Sequence, residues 1–499
     1  MTRRLYCAVA ACAGVVYLGA LWNRWAWDDL TIIYTNAFVH TPSALWRAFA
    51  AAYWPDAFGG GLYRPLTIAS YAVDWQLGAA AWFHGVNLLW HAATSVAVTL
   101  LARRWSGDRA ALVAGLIFAV HPVHVEAVAN IVGRAELMAA LFALLAVYAA
   151  LERDSLGWSL LASVAALLSK ETGAVVPALI AWGWIVRVGR RPARRRMAAY
   201  VAAWVVLGVA YGAVRHAVLA PYAEIIHWAP HFIGATPLQM RLTAVAAFAD
   251  FARLLLFPLH LRVDYSPDER TLVPSALDAR LALGLACFAV WAALITLAWR
   301  RGRRLEAYGL GWIGIALLPV ANLVFPVGVL VAERTLYLPS AGLVLAAGAA
   351  LARVPLAPRR LLVALLVLAG GVRTALRVPV FRDQLTVVLS ELVDSPRSFD
   401  GPGRMVGIYL AQHDPEKALE AYRIATSRYD KLPWVHVAGA DAALSLGRSA
   451  LADSTLHRLE ALCSRCDFYY WYEARMARAR GDGAVAESLL ARIRPPGRP

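Results

Sequence analysis

Apolar runs of 14 to 20 residues recur along this chain, from Leu5–Trp22 through Met197–Val214 and Leu281–Trp299 to the run at 360–377. A helix needs roughly 20 mostly apolar residues to cross a hydrocarbon core. Inside that core only a helix or a closed barrel satisfies its own backbone. The runs therefore predict an all-α, polytopic membrane helix bundle. Candidate spans fall near 5–22, 85–102, 110–125, 135–151, 156–169, 173–187, 197–214, 280–299, 308–326, 336–352 and 360–377, about 11 in all. Composition agrees: 60% of the 499 residues are apolar and 16% charged, with mean hydropathy +0.54. Soluble domains run nearer 45–50% and about 25%.

The formal charge is +16. Much of it sits in short loops beside apolar runs: Arg3–Arg4, Arg103–Arg104, Arg187–Arg196 and Arg300–Arg304. That is the pattern of cytoplasmic loops, not of nucleic-acid binding. Arg3–Arg4 and the first run form an uncleaved span with the N-terminus in the cytoplasm, since no A-x-A site follows. Residues 23–84 then make a long outer loop, and eleven crossings leave the C-terminal part outside. The apolar segment 241–259 breaks this count. A crossing there would reverse Arg300–Arg304, so it is expected to be re-entrant or interfacial, stopped by Pro258. The Ala- and Arg-rich composition points to a GC-rich bacterial source, and hence to the cytoplasmic membrane.

The expected organisation is a transmembrane domain at 1–378, a linker at 379–398 and a helical-repeat domain at 399–495. The tail has a 34-residue period. His413-Asp414, Gly447-Arg448 and Gly481-Asp482 keep it, as do Ala418, Ala452 and Ala486. This is the tetratricopeptide spacing, and three units are about the minimum for a stable stack. An ordinary small helical bundle is the alternative. Cys7, Cys12 and Cys287 lie in apolar runs as packing residues. Cys463 and Cys466 form a CxxC that reads as a local disulfide rather than zinc, which needs two more ligands.

Ionisable groups near a membrane are costly unless they work, and here they fall in compact motifs on the predicted outer side. In Trp27-Asp28-Asp29 the two carboxylates can hold a divalent cation, or one can act as a general base; the bland reading is a solvated loop start. In Tyr63-Arg64-Pro65-Leu66 the arginine suits a bidentate phosphate contact or a plain surface charge. His121-Pro122-Val123-His124-Val125-Glu126 precedes Gly133-Arg134-Ala135-Glu136. Its spacing does not match the HExxH metal pattern, which favours hydrogen bonds to a polar substrate, or else a structural network. Ser169-Lys170-Glu171, Asp264-Tyr265-Ser266 and Ala332-Glu333-Arg334 with Tyr337 suit phosphate or sugar contacts, or structural ion pairs.

The chemistry that fits is transfer from a membrane-anchored phosphate donor. Asp28 or Asp29 is the base, with a slight lean to Asp29. Arg64, Arg134, Lys170 and Arg334 face the phosphate. His121, His124, Glu126, Glu136, Glu171, Asp264, Tyr265, Glu333 and Tyr337 are the candidate substrate contacts. No P-loop or dinucleotide fingerprint is present, so no nucleotide cofactor and no resident metal are expected.

In this order the motifs resemble those of the transmembrane and tetratricopeptide-repeat O-mannosyltransferases, of the GT-C glycosyltransferase superfamily. The matching stretches are WDD at 27–29, YRPLT at 63–67, FHGVNLLWHA at 83–92, FAVHPVHVEAVANIVGRAEL at 118–137, LLSKETG at 167–173, RLLLFPLHLRVDYS at 253–266 and AERTLYLPSAG at 332–342. The resemblance implies a GT-C-like catalytic domain and an inverting transfer of mannose or a similar hexose. The donor would be a polyprenyl- or dolichyl-phosphate sugar and the acceptor a hydroxyl, on a protein or other molecule recruited by the repeats. It also implies a catalytic acid in the first outer loop, at Asp28 or Asp29. The competing readings are a non-catalytic scaffold and a lipid-linked sugar transporter. A transporter would place its ionisable groups near the midplane in paired repeats.

Overall fold

A chain that cannot hydrogen-bond to water must close its own backbone, and the apolar runs do so as helices. The computed structural model describes residues 2–55, 60–222, 229–256, 258–463 and 467–493, and among them there is no strand. Among the described residues six helices are long and apolar enough to cross a membrane: Ala80–Val120, Ile131–Leu151, Arg194–Tyr222, Ala279–Arg300, Glu333–Leu351 and Leu356–Phe381. The protein is a multi-pass membrane protein. Ile131–Leu151 is the central helix, with 83% of its apolar window buried. Arg194–Tyr222 is peripheral, with 6% buried. Its outward valines, Val201, Val205, Val206 and Val209, are 51–68% exposed. In a water-soluble protein such a stripe would be a liability; here lipid is its solvent.

The other expected spans form shorter elements. The first run is helical over Thr2–Val16 and tightens to a 3-10 turn at Leu18–Trp22. Leu156–Ser169 has 14 residues and Val176–Val186 has 11. The run at 308–326 is helical only as Arg304–Leu317, because Pro319 follows and a helix interior does not accept proline. The runs at 85–102 and 110–125 share the element Ala80–Val120, broken at Gly107 with φ 81°. The chain folds back there, so that Gly115 lies against Thr99. Segment 241–259 divides into Pro237–Ala246 and Phe248–Leu256. Each is too short to span alone, and its expected stop at Pro258 directly follows residue 257, which lies outside the described residues.

Glycine sets one central contact. A Cβ on Gly309 would lie 2.3 Å from the Gly342 carbonyl oxygen. Arg304–Leu317 and Tyr337–Leu351 can pack backbone to backbone only because both positions lack a side chain.

The charges segregate to two ends. At one end the arginine loops tie to each other. Trp105 donates to Glu152 (2.7 Å), the Arg190 N–H to the Leu151 carbonyl (2.6 Å) and Arg196 to the Asp154 carbonyl (3.0 Å), while Arg353 pairs with Glu306. The motifs of the sequence analysis gather at the other end, together with the tail.

The stretch 379–398, expected as a linker, carries a helix, Gln384–Asp394, capped by Asp383 and Thr386. Six further helices follow as three pairs: Asp400–Ala411 with Pro415–Arg428, Pro433–Ser445 with Ser449–Cys463, and Asp467–Ala479 with Gly483–Leu490. The 34-residue period is visible in the backbone. His413, Gly447 and Gly481 close the first helix of each pair at φ 59°, 66° and 89°, the left-handed turn that ends a helix. Ala418, Ala452 and Ala486 are fully buried at equivalent places. The CxxC expectation involves Cys466, outside the described residues.

Candidate functional site

The site is built where the stretch 23–84 meets the ends of the central helices. Trp27 takes a left-handed turn, φ 56°, which a bulky residue adopts only when its surroundings hold it there. The turn sends the two following carboxylates in different directions. Asp29 turns inward and is 1% exposed. It accepts the N–H groups of Val132 (2.8 Å), Ile131 (3.4 Å) and Ala26 (3.4 Å). Burial pushes its carboxyl up to about 8, against the pull of these amides, and the neighbouring Asp28 is a minor cause. Asp28 is half-buried. Burial also raises its proton affinity, opposed by Arg334 and then Arg404, while Glu126 and Asp400 push it further up. Expecting the paired carboxylates to raise each other was therefore the lesser part of the physics; burial is the greater.

Beside Asp28 runs a row of cations, each held by one carboxylate. Arg334 pairs with Glu126, which also accepts the Arg334 backbone N–H (2.8 Å). Lys170 pairs with Glu136 in a buried bridge. Arg64 meets Glu171 side-on, through Nε (3.1 Å) and Nη2 (2.9 Å), and lies over the Tyr53 ring at 4.8 Å. Lys170 lies between the other two, in electrostatic reach of both Arg64 and Arg334. Burial, opposed by Glu136, holds the Lys170 ammonium below its usual range. Glu126 and Glu171 each engage one edge of a guanidinium. An arginine offers five donors in a planar fork, so each guanidinium keeps an edge for a second anion.

Arg134 is elsewhere. It is fully buried, pairs with Asp74 (2.5 Å), and donates to Asn87 Oδ1 (2.8 Å), Ser70 Oγ (3.3 Å) and the Phe83 carbonyl (3.1 Å). It pins the outer loop to the central helices rather than joining the row. The histidines are likewise committed. His121 Nε2 donates to the Leu255 carbonyl (3.0 Å), and its Nδ1 accepts the Val123 N–H (3.3 Å). His124 Nε2 donates to Ser340 Oγ (2.7 Å), whose own proton goes to the Tyr337 carbonyl (2.7 Å). The Tyr337 hydroxyl donates to His91 (2.8 Å). These bonds tie His124, Ser340, Tyr337 and His91 into one buried polar network, in which His124 Nδ1 has no hydrogen-bond partner among the described residues. Glu333 accepts the Arg262 N–H (2.5 Å) and the Tyr265 hydroxyl (3.0 Å). Asp264 accepts the Ser266 N–H (2.9 Å) and the Ser398 hydroxyl (2.8 Å), and burial pushes it up to about 6. These three motif residues brace the site from outside. Among the described residues no three His, Cys, Asp or Glu side chains form a group that could hold a metal ion.

The structure adds residues that sequence reasoning left unassigned. Asn87 and His91 sit inside the FHGVNLLWHA block, whose polar residues within an apolar run were the available signal. Gln384 and Arg404 have no such signal; the first comes from the helix in the stretch expected as a linker and the second from the tail.

Residues 83–213 match a family model described as "Dolichyl-phosphate-mannose-protein mannosyltransferase". The protein O-mannosyl-transferase TMTC3 of Mus musculus is 27% identical over 376 residues, covering 67% of this chain and 40% of that protein. The human protein O-mannosyl-transferase TMTC4 is 30% identical over 407 residues, covering 67% and 53%. The chain thus spans about half the length of the curated relatives it matches. One solved structure, archaeal oligosaccharyltransferase AglB from Archaeoglobus fulgidus, overlays with a TM-score of 0.24 at 14% identity, over 98% of this chain and 56% of that one; so slight a likeness supports no reading of fold or activity. By the sequence matches, the chain is a relative of the transmembrane and tetratricopeptide-repeat protein O-mannosyl-transferases.

Proposed function

We propose that the protein is an inverting GT-C-type glycosyltransferase, moving a hexose such as mannose from a polyprenyl-phosphate donor to an acceptor hydroxyl. The observation that carries this is the half-buried Asp28 carboxylate, for which no hydrogen bond is seen, beside the cation row of Arg334, Lys170 and Arg64. Asp29, with both oxygens engaged by backbone amides, serves to anchor the turn. In the reaction, Asp28 takes the proton of the acceptor hydroxyl as its oxygen bonds to the sugar C1. The C1–O bond to the phosphate breaks, and polyprenyl phosphate leaves with its charge met by Arg334 and Arg64. Sequence relatives named as protein O-mannosyl-transferases support the reaction class. The site faces the outer side of a bacterial cytoplasmic membrane, with the N-terminus inside. The tail is a short tetratricopeptide-type stack that presents a protein acceptor.

The test is to supply purified protein with a panel of polyprenyl-phosphate sugars and measure polyprenyl phosphate released. Release from one donor, lost in Asp28→Asn, supports the reading. No release from any donor overturns it and leaves the scaffold reading. Passage of intact donor across vesicles without release supports the transporter.

A further inference from the structure

The C-terminal part of the chain touches the turn that carries Asp28. The Trp27 N–H donates to Gln384 Oε1 (2.8 Å), and the Arg24 N–H donates to the Arg382 carbonyl (2.7 Å). From the first helix of the first tail pair, Arg404 lies over the Trp27 indole, 3.9 Å from the ring centre. Asp400 holds that guanidinium by its Nε (2.6 Å). Gln384 and Arg404 thus hold a turn that Trp27 would not adopt alone, since φ 56° is disfavoured for a bulky side chain, while Arg382 ties down the preceding Arg24 and Asp400 fixes Arg404.

We infer that Arg404 is a positioning residue of the transfer reaction: stacked on Trp27 with Gln384 behind it, it fixes the direction of Asp28 toward the cation row. This rests on Asp28 being the base. It makes the first tail helices one wall of the site, and not only a module that recruits acceptors. A flat guanidinium suits the stack; a lysine ammonium, a point charge on a flexible stem, does not. Arg404 also acts by its charge. The groups around Asp28 are Asp29 on its own turn, Tyr53 in the outer loop, Glu126 and Arg334 from the membrane domain, and Asp400 and Arg404 from the tail. Of these, the two arginines favour the ionised carboxylate.

Three variants separate the effects: Arg404→Lys, Arg404→Gln and Gln384→Ala. The readout is polyprenyl phosphate release against pH, with kcat and donor KM measured separately and expressed per folded protein. Loose positioning should lower kcat by roughly ten- to hundredfold in all three, with donor KM within about twofold. Arg404→Gln removes a positive neighbour, so Asp28 holds its proton to higher pH and the acid limb of kcat moves up. Arg404→Lys and Gln384→Ala should leave that limb in place. If all three variants keep wild-type kcat and pH profile, the inference is overturned. A lower thermal midpoint with unchanged kcat per folded protein overturns it too, since that is a merely structural contact. A wild-type protein that releases nothing from any donor overturns the base assignment itself, and this inference with it.

Discussion

Replacing each carboxylate of the Trp27-Asp28-Asp29 turn by asparagine should produce two different failures. Asparagine keeps the size and removes the basicity. At Asp28 no hydrogen bond anchors the carboxylate, so its loss should cost the fold little. A general base contributes roughly 10²–10⁴-fold, equivalent to about 3–5.5 kcal/mol of barrier. Turnover of Asp28→Asn should fall by that factor, with donor affinity retained. At Asp29 the two oxygens accept three amide N–H groups, at 2.8, 3.4 and 3.4 Å. An asparagine that keeps Val132 on its oxygen turns its NH2 toward the N–H groups of Ile131 and Ala26. Leaving buried donors without an acceptor costs about 1–3 kcal/mol. Asp29→Asn should therefore lower the thermal midpoint by a few degrees, and its turnover per folded protein should fall much less than that of Asp28→Asn. The assay pairs a thermal unfolding curve in detergent with release of polyprenyl phosphate. The pH profile adds a sign check. Burial raises Asp28 above the usual carboxylate range, and the base must be unprotonated. Activity should therefore rise with pH through that raised value and be lost as pH falls. An Asp29→Asn protein with wild-type stability and no turnover, beside an active Asp28→Asn, would refute this reasoning and restore Asp29 as the base.

Arg134→Lys should reduce the yield and thermal midpoint of folded protein, because lysine keeps the charge for Asp74 but not the fork that reaches Asn87, Ser70 and Phe83, and a buried acceptor left unpaired costs about 1–3 kcal/mol; normal stability with weakened donor binding would return Arg134 to the phosphate site. A cysteine placed at Gly302, between the arginines of 300–304, should be labelled only from the cytoplasmic side, and labelling from outside reverses the orientation. Truncation after Leu446 keeps the first tail pair and Arg404, so donor release should persist while transfer to a large protein acceptor declines; truncation after Val378 should abolish both, and a fully active 1–378 fragment would contradict the shared wall. Chelator should leave release unchanged; loss with chelator and recovery on adding a divalent cation would instead assign Asp28 to metal binding.

The fold class was legible because lipid leaves an apolar run one practical choice, and the tail because its small residues and turn positions repeat every 34 residues. Lengths were less legible. The run at 308–326 looks continuous by hydropathy, yet its helix stops at Leu317, just before Pro319. Roles within the site were read least well. Arg64 and Arg134 look alike in sequence, and only folding shows that Arg134 meets Asp74, Asn87, Ser70 and Phe83 with its donors while Arg64 keeps an edge free. Asp28 and Asp29 differ by one position. Their directions are set by the left-handed turn at Trp27 and by amides about a hundred residues away at Ile131 and Val132. A local pattern cannot carry such partners.

The bond from the Trp27 N–H to Gln384 joins residues 357 positions apart. At roughly 5–20 residues per second, the ribosome needs about 20–70 seconds to travel that distance. Through that interval the turn at Trp27 waits without its clamp. On the proposed assignment of Asp28 as base, catalytic competence therefore arrives late, as a timed event in biogenesis: a chain stalled or cleaved before Arg404 emerges would carry the turn without the contacts that hold it.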